Sequence, residues 1–406
     1  FQATAMPKDL FVRADIFKYN KKTKNWDIYE VKSSSDIKEE HVPDLCFQKI
    51  AFERDGYKIG KTYLVHINSE YVRKGKIEPK KLLTVEDISE QVEDYRSTAE
   101  ANIPKALKLI EQKKDPSCEI GRQCKHPYEC PLKSTCWSSL PEYSIYDLKR
   151  VKEEKLQALK DMKILKITDI PDDFELSDSQ ANQILVAKTG KTIIDKNSIQ
   201  DTLNNLEYPL YFLDYETYSS AVPLFDGTHP FQNMCFQYSL HVIRSQGAKV
   251  EHYEFLHTDQ TNPMPKLLFS LVQHIGSKGA VIVWNKSFEM TRNDEMGKQY
   301  PKYAKALKSI NDRVFDLMEI FRKQFYVHPD FRGSCSIKYV LPVMVPSLNH
   351  KNLEGIQEGG TASLYWFKHI FSNSTDKKKI IKQLLKYCNL DTLAMVEIFN
   401  KLRELK

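Results

Sequence analysis

The sequence predicts an α/β protein built of two units joined by a helical connector. Three observations predict it. Short β-rich apolar runs alternate with helical segments over residues 1–100 and again from Tyr208 onward. The stretch between, 138–206, is charged and helical in pattern. Each α/β stretch also carries acids two residues from a second polar group on an apolar strand, so that both project from one face. At 406 residues the chain is long enough for two or three domains with separate cores. The expected boundaries are 1–137, 138–206 and 207–406.

Residues 12–17 and 26–32 read as paired strands joined by the polar turn 18–25. A helix is expected over 45–54, a strand over 62–68 and a largely helical stretch over 85–114 that leads into four closely spaced cysteines. The connector is interrupted at Ile170-Pro171-Asp172-Asp173 and Thr189-Gly190-Lys191. In the second unit, strands are expected at 210–215, 236–243, 250–255 and 280–284, and helices dominate after Pro301. No internal repeat or low-complexity segment stands out.

The formal net charge of +6 is modestly basic, which suits a nucleic-acid enzyme without diagnosing one. No apolar run approaches the roughly 18–20 residues of a membrane span, and no secretory signal is visible. Eight cysteines, four of them within 118–136, fit a cytoplasmic enzyme with one metal or cluster site better than a disulfide scaffold. The first residue is Phe, so the natural N-terminus is expected to lie upstream.

In Tyr211-Phe212-Leu213-Asp214-Tyr215-Glu216-Thr217, Asp214 and Glu216 share one strand face while Leu213 and Tyr215 point the other way. Two carboxylates held this close repel unless a divalent cation sits between them. In the last helix Tyr387 and Asp391 stand at i, i+4 and also share a face. Between them, Val281–Glu289 reads as a strand running into a helix start, with Asn285, Phe288 and Glu289 in the order Asn-x-x-Phe-acid. The plain alternative is a capped strand edge and a surface Tyr–Asp pair. These three motifs, in this order over about 208–402, resemble the DnaQ-like 3′→5′ exonucleases of the RNase H-like fold, in the subgroup with Tyr in the third motif. The resemblance implies that Asp214, Glu216 and Asp391 hold two Mg²⁺ or Mn²⁺ ions, that Glu289 completes the acidic set, and that Tyr387 orients the attacking water. The sequence departs from the pattern at Glu289, where the family usually has Asp.

A second constellation lies near the start. Asp15 closes one strand of the expected hairpin, Glu30 and Lys32 stand at i, i+2 on the other, and Gln48 lies on the following helix. Two acids and a Lys on neighbouring strands suit metal-assisted hydrolysis, the carboxylates binding one or two ions and the Lys polarising water or phosphate. An ordinary surface Glu–Lys pair is the alternative. The order D…E-x-K…Q resembles the PD-(D/E)xK nucleases of the RecB-like family, which have a restriction-endonuclease-like fold. A helix that should precede Asp15 in that family is short or absent here.

Cys118, Cys124, Cys130 and Cys136 recur every six residues. Four clustered thiols read as metal ligands, and the spacing leaves zinc and iron–sulfur both open. Their position just after the nuclease-like core resembles the iron–sulfur nucleases of the RecB-like family, including CRISPR-associated exonucleases, which implies a 4Fe–4S cluster. The fourth ligand is then either Cys118 or a residue upstream of this sequence. Cys46, Cys235, Cys335 and Cys388 read as buried small hydrophobes.

Asn285, Lys286, Arg332 and Lys338 are candidate substrate contacts. The segments 331–339 and 359–367 could line a cleft that stacks a base and grips phosphates, or could supply core aromatics and a turn. The whole chain therefore resembles a bacterial fusion of a RecB-like nuclease with a DnaQ-like exonuclease. That implies a metal-dependent nuclease releasing nucleotides from a 3′ end; the expected partner is nucleic acid, DNA sooner than RNA, though no motif here reads the 2′-hydroxyl. The rival readings are a nucleic-acid-binding protein on degenerate nuclease folds, and an iron–sulfur redox sensor.

Overall fold

Alternation of apolar residues produces two main sheets, of four and five strands, each packed against helices. A computed structural model describes residues 1–114, 116, 118–372 and 374–405, with Lys351 by its backbone alone. These fall into two units, Phe1–Ser139 with Ser220–Gln232, and Leu140–Ser219 with Asn233–Lys406. The architecture is mixed α/β in both.

In the first unit four strands lie in chain order, β1 (Ile16–Asn20), β2 (Asn25–Val31), β3 (Ile59–Ile67) and β4 (Leu83–Asp87). The β2–β3 pair is parallel and the outer pairs antiparallel, because helix α1 (His41–Arg54) provides the crossover that a parallel pair requires. The strand expected over 12–17 is in fact two. Val12–Ala14 pairs with Ala3–Ala5, and β1 pairs with β2. The chain changes partner at Asp15, whose Oδ2 accepts the Val31 N–H at 2.9 Å. The expected helix over 85–114 also divides. Residues through Asp87 join the sheet as an edge strand, and α2 runs from Ser89 to Ile110. Ile28 and Leu64 from the sheet meet Leu45, Ile50 and Phe52 of α1 and Val92 of α2 in one core. Phe17 stacks on Trp26 and Phe52 with ring centroids 4.6 and 4.3 Å away. The segment 220–232 is fastened to this unit by Arg73, whose Nη1 donates to the carbonyls of Pro223 and Leu224.

The second unit begins with the stretch expected as a connector, and that stretch has its own small core of Ile145, Leu148, Leu156, Leu159, Ile167 and Ile184. Its helices are α3 (Glu153–Asp161), α4 (Asp178–Thr189) and α5 (Lys196–Asn204). Ile193–Ile194 pairs with Tyr326–Val327, which ties the stretch to the later chain. The main sheet contains β5 (Leu210–Tyr218), β6 (Met234–Ile243), β7 (Glu251–Leu256), β8 (Val281–Val283) and β9 (Val314–Asp316), in the order β7-β6-β5-β8-β9. Strands β7, β6 and β5 are mutually antiparallel, and β5, β8 and β9 are parallel. Helix α6 (Lys286–Gln299) leaves the end of β8; α7 (Ile337–Met344), α8 (Gly359–Tyr365) and the long α9 (Lys377–Arg403) follow.

Helix α9 packs on the sheet through one apolar stripe that includes Leu384, Cys388, Met395, Phe399 and Leu402. Phe399 meets Phe212 of β5 edge-on at 5.6 Å. Burying such a side chain contributes roughly 1.5–3 kcal/mol. Polar bonds fix the helix against sliding. Thr392 Oγ1 lies 2.6 Å from Ser239 Oγ and 2.8 Å from His241 Nδ1, and Gln237 Nε2 donates to the Leu384 carbonyl. Among the described residues no helix is long and apolar enough to cross a membrane.

Candidate functional site

The centre of the second unit is acidic because two local periodicities aim at one place. Strand β5 is the middle strand, and its pleat puts Asp214 and Glu216 on one face. Tyr215 points oppositely and donates from its hydroxyl to Asn293 Oδ1 at 2.9 Å. Helix α9, locked onto β6 one turn away, supplies Tyr387 and Asp391 from one face. All four side chains line a cavity of about 480 Å³ whose other walls include Trp284, Phe288, Ile337, Gly359 and Gly360. The glycines belong to one of the two segments expected to border a cleft; Trp366 from the same segment is fully buried as a core aromatic.

The electrostatics are those of crowded anions. Burial, then the charges of Asp391, Glu216 and Glu289, push the Asp214 carboxyl well above the usual carboxylate range. Burial and Asp391 do the same to Glu216. Glu289, on the first turn of α6, is only 2 % exposed and is pushed up to about 8 by burial, with Asp316 adding to the rise. Its Oε2 is buried and meets no hydrogen-bond donor among the described residues. Tyr387 is raised far above its ordinary value by burial and the neighbouring acids, so its hydroxyl keeps its proton. Ligand atoms of Asp214, Glu216 and Cys388 lie within 4.8 Å of one another. The Cys388 thiol is also driven up by burial and by Asp214, so it stays protonated and donates to Asp214 Oδ2 at 3.8 Å. Buried like charges with an orphaned carboxylate oxygen fit hard divalent cations bound by oxygen.

Three partners in this centre carry no sequence signal of their own. His350, from the segment between α7 and α8, places Nε2 2.7 Å from Asp391 Oδ1. Asp316 ends β9 and accepts at Oδ1 from the backbone N–H groups of Asn285 and Met318. Cys388 is buried as the sequence suggests and in addition touches an acid. The apolar alternation of Val314-Phe315-Asp316 on a three-residue strand is too short to stand out, and nothing local marks His350.

The candidate substrate contacts fare unevenly. Lys286 is taken up by Glu319 at 2.6 Å, and Arg332 by Glu142 at 2.5 Å, so these two cations are already paired within the fold. Asn285 adopts a left-handed conformation, φ 79°, at the turn into α6. Lys338 lines a different cavity of about 430 Å³, shared with His350 and Glu358. Cys335 is only half-buried.

In the first unit, Glu30, Lys32 and Gln48 converge as the sequence suggests, with Asp44 as an additional member. Lys32 Nζ lies 2.7 Å from both Glu30 Oε1 and Asp44 Oδ2, and Gln48 Nε2 donates to Glu30 Oε2 at 3.0 Å and Asp44 Oδ1 at 3.2 Å. Burial works against the Lys32 charge, but its bonds to Asp44 and Glu30 outweigh that and raise its pKa. Asp44 stands one turn before Gln48 on α1, a spacing visible in sequence. Asp15 sits at the bend just before Ile16, and its own oxygens accept from Val31 N and Gln2 Nε2 rather than from Lys32 or Gln48.

Cys118 and Cys136 are exposed and Cys124 and Cys130 half-buried, all as free thiols. Hydrogen bonds from the Gly121 backbone and Trp137 lower the Cys124 thiol, which favours the thiolate that binds metal. No three of the four thiols lie within 4.8 Å of one another among the described residues, whereas a tetrahedral zinc would draw its sulfurs to about 3.8 Å.

Fold and site together define a mixed α/β protein with a buried carboxylate centre. Comparison places its relatives in view without naming an activity. Residues 211–336 match the family described as Domain of unknown function (DUF2779). That span includes Asp214, Glu216, Glu289 and Asp316 and stops short of Tyr387 and Asp391. The chain is 29% identical over 221 residues to "Uncharacterized protein MG366" of Mycoplasma genitalium, a match covering 50% of this chain and 33% of that protein. It is 26% identical over 221 residues to "Uncharacterized protein UU173" of Ureaplasma parvum, covering 49% and 32%. The matched region is thus about a third of each relative's length. No solved structure matches the chain.

Proposed function

We propose that the second unit is a divalent-metal-dependent phosphodiesterase that removes nucleotides from the 3′ end of a nucleic-acid strand, DNA before RNA, as a DnaQ-like exonuclease on an RNase H-like fold. The observation that carries the reading is the convergence of Asp214, Glu216, Tyr387 and Asp391 on one cavity, with Glu289 close enough to raise Asp214 further. Asp214, Glu216 and Asp391 would hold two Mg²⁺ or Mn²⁺ ions. When bound, such ions lower the pKa of a water and neutralise charge on the phosphate. The protein's part is positional. Tyr387 retains its proton and so can hold the water by a hydrogen bond without acting as a base. Glu289, one methylene longer than the Asp usual there, completes the acidic set behind Asp214 and has a buried oxygen left to accept a hydrogen bond. Phe288, Trp284 and Ile337 give the cavity an apolar wall on which a terminal base can rest.

The first unit is read as a RecB-like PD-(D/E)xK nuclease fold, and the convergence of Glu30, Lys32 and Gln48 favours a second metal centre there, with Asp15 and Glu30 as its acids. The cysteine run is read as the seat of a 4Fe–4S cluster, or of zinc. Anaerobic purification separates these two: a brown protein containing iron and sulfide supports the cluster, and a colourless zinc protein overturns it.

The test of the main reading is Mn²⁺-dependent shortening of 3′-labelled single-stranded DNA. Asp214→Ala and Asp391→Ala should each abolish it. Unchanged shortening in both variants would sink the assignment.

A further inference from the structure

Beside the acidic cavity lies a second one of about 590 Å³ with the opposite chemistry. Lys149, Arg150 and Arg322 line it, together with the hydroxyls of Ser177, Ser179, Ser334 and Ser336, and its lining includes no Asp or Glu among the described residues. Neither Lys149 nor Arg150 enters an ion pair among those residues. Lys149 Nζ meets only the Cys335 Sγ at 3.6 Å, and Arg150 is exposed. Arg322 Nη2 stands 3.7 Å from Asp316 Oδ2. Lys286 and Arg332, the cations that sequence reasoning favoured, are neutralised by acids, whereas Lys149 and Arg150 keep their charge facing an open space.

Two helices also begin at this cavity. Ser177 caps α4 and Ser336 caps α7, so the positive ends of both helix dipoles lie at the same region as the cations. The caps take the N3 N–H of α4 and the Lys338 N–H of α7, which leaves the earlier first-turn N–H groups, and Asp178 on α4 is an acid outside the lining. The cavity adjoins the acidic one through shared walls. Trp284, which lines the acidic cavity, donates its indole N–H to the carbonyl of Cys335, which lines the basic one. Ile337 of the acidic cavity follows Ser336 of the basic one directly in the chain.

We propose that this basic cavity binds backbone phosphates of the strand whose 3′ end is cut, an inference that rests on the exonuclease reading above. A site that concentrates acids repels a polyanion, so a strand must be held elsewhere before its end can enter. Lys149 and Arg150 supply that hold, the serine hydroxyls and helix N-termini supply hydrogen-bond donors to phosphate oxygens, and the Trp284–Cys335 wall separates held phosphates from the acids. The contacts touch no base, so the hold does not depend on sequence.

The experiment compares the wild-type chain with Lys149→Ala/Arg150→Ala. Binding of a fluorescein-labelled oligothymidylate is followed by anisotropy across a salt series, with Ca²⁺ replacing Mn²⁺ to prevent cleavage. Hydrolysis of the p-nitrophenyl ester of thymidine monophosphate, which has no further phosphates to hold, is measured in Mn²⁺. The double variant should bind the strand roughly tenfold more weakly and lose about 1.4 from the slope of log K against log salt, from two lost single-strand phosphate contacts. Its hydrolysis of the small ester should not change. A variant that keeps the wild-type affinity and slope, while the wild type cuts, overturns the inference alone. Inorganic phosphate displacing the strand from the wild type as effectively as an unlabelled strand does would reassign the cavity to free phosphate. A wild type that hydrolyses neither the strand nor the ester overturns the exonuclease reading, and the slopes still judge the cavity.

Discussion

His350 Nε2 stands 2.7 Å from Asp391 Oδ1, and the imidazole lies beside the Tyr387 ring at 5.9 Å. A carboxylate tethered at one oxygen presents the other in a fixed direction, which is how an outer hydrogen bond tunes a metal ligand. His350→Ala should therefore weaken Mn²⁺ binding by about 10–100-fold. His350→Gln, which can still donate to Asp391, should restore much of the loss. Titration of free Mn²⁺ by electron paramagnetic resonance checks this without recourse to activity. Equal affinity in the wild type and His350→Ala would remove His350 from the centre.

The crowding of acids around Asp214 carries a stability cost in the metal-free chain. Asp214→Asn removes the acid whose ionisation burial and its neighbours oppose, while keeping the side chain's shape. Metal-free unfolding near neutral pH should shift up by roughly 1–3 kcal/mol, or about 2–10 °C. The same substitution should abolish Mn²⁺-dependent shortening of DNA and most of the thermal shift that Mn²⁺ gives the wild type. Stabilisation without loss of Mn²⁺ response would mean that the ion binds elsewhere. Calorimetry with and without Mn²⁺ distinguishes these outcomes.

What sequence reasoning could reach was whatever a single element dictates. Asp214 with Glu216 follows from a period of two on β5, and Tyr387 with Asp391 from one turn of α9. Glu30, Lys32 and Gln48 were legible for the same reason. His350, Asp316 and Cys388 were not, because each reaches the centre only when separate elements pack. The fold showed the same divide. An apolar run marked residues 12–17 as extended, but Asp15's bond to the Val31 N–H, which splits the run between two partners, is a tertiary event. Residues 83–87 lie in the sheet against a local helical pattern because β3 offers them an edge to pair with. The cations followed this rule in reverse. Lys286 and Arg332 looked well placed in sequence, yet Glu319 and Glu142 claim them in the fold.

In the first unit Lys32 neutralises Glu30 and Asp44 together. Lys32→Met leaves those two acids facing each other across Gln48. The Lys32 side chain is 27% exposed and that of Asp44 40%, so solvent screening holds the loss to about 1–2 kcal/mol of stability in urea unfolding. A second measurement asks what the site does. Mn²⁺-dependent nicking of covalently closed circular DNA, which offers no 3′ end to the second unit, should persist in the Asp214→Asn chain and fall to background when Lys32→Met is added. A nicking rate that Lys32→Met does not touch would leave the first unit as a binding module.

Under α9 lies a histidine whose burial makes stability depend on pH. His241 is buried against Thr392, with the His252 ring stacked at 4.4 Å. Burial, and then His252, pull its pKa down to about 4. Ser239, which bonds both Thr392 and His252, and Asn389, which bonds His252, lie around it, and among the described residues no carboxylate offsets the loss. As pH falls below the usual histidine value of about 6.5, the unfolded chain takes up a proton that folded His241 refuses until about 4. Stability contributed at neutral pH is therefore lost progressively between those two values and levels off below the lower one. At pH 5 the loss from this residue is on the order of 2 kcal/mol. The metal-free acids titrate with the opposite sign, since Glu289, raised to about 8, destabilises the folded state as pH rises. The difference between the wild type and His241→Gln isolates the histidine. Urea unfolding at pH 7 and pH 5 should show that the wild type loses about 2 kcal/mol more than the variant on acidification. Equal losses in the two proteins would mean that His241 takes up its proton in the folded state as readily as in the unfolded chain.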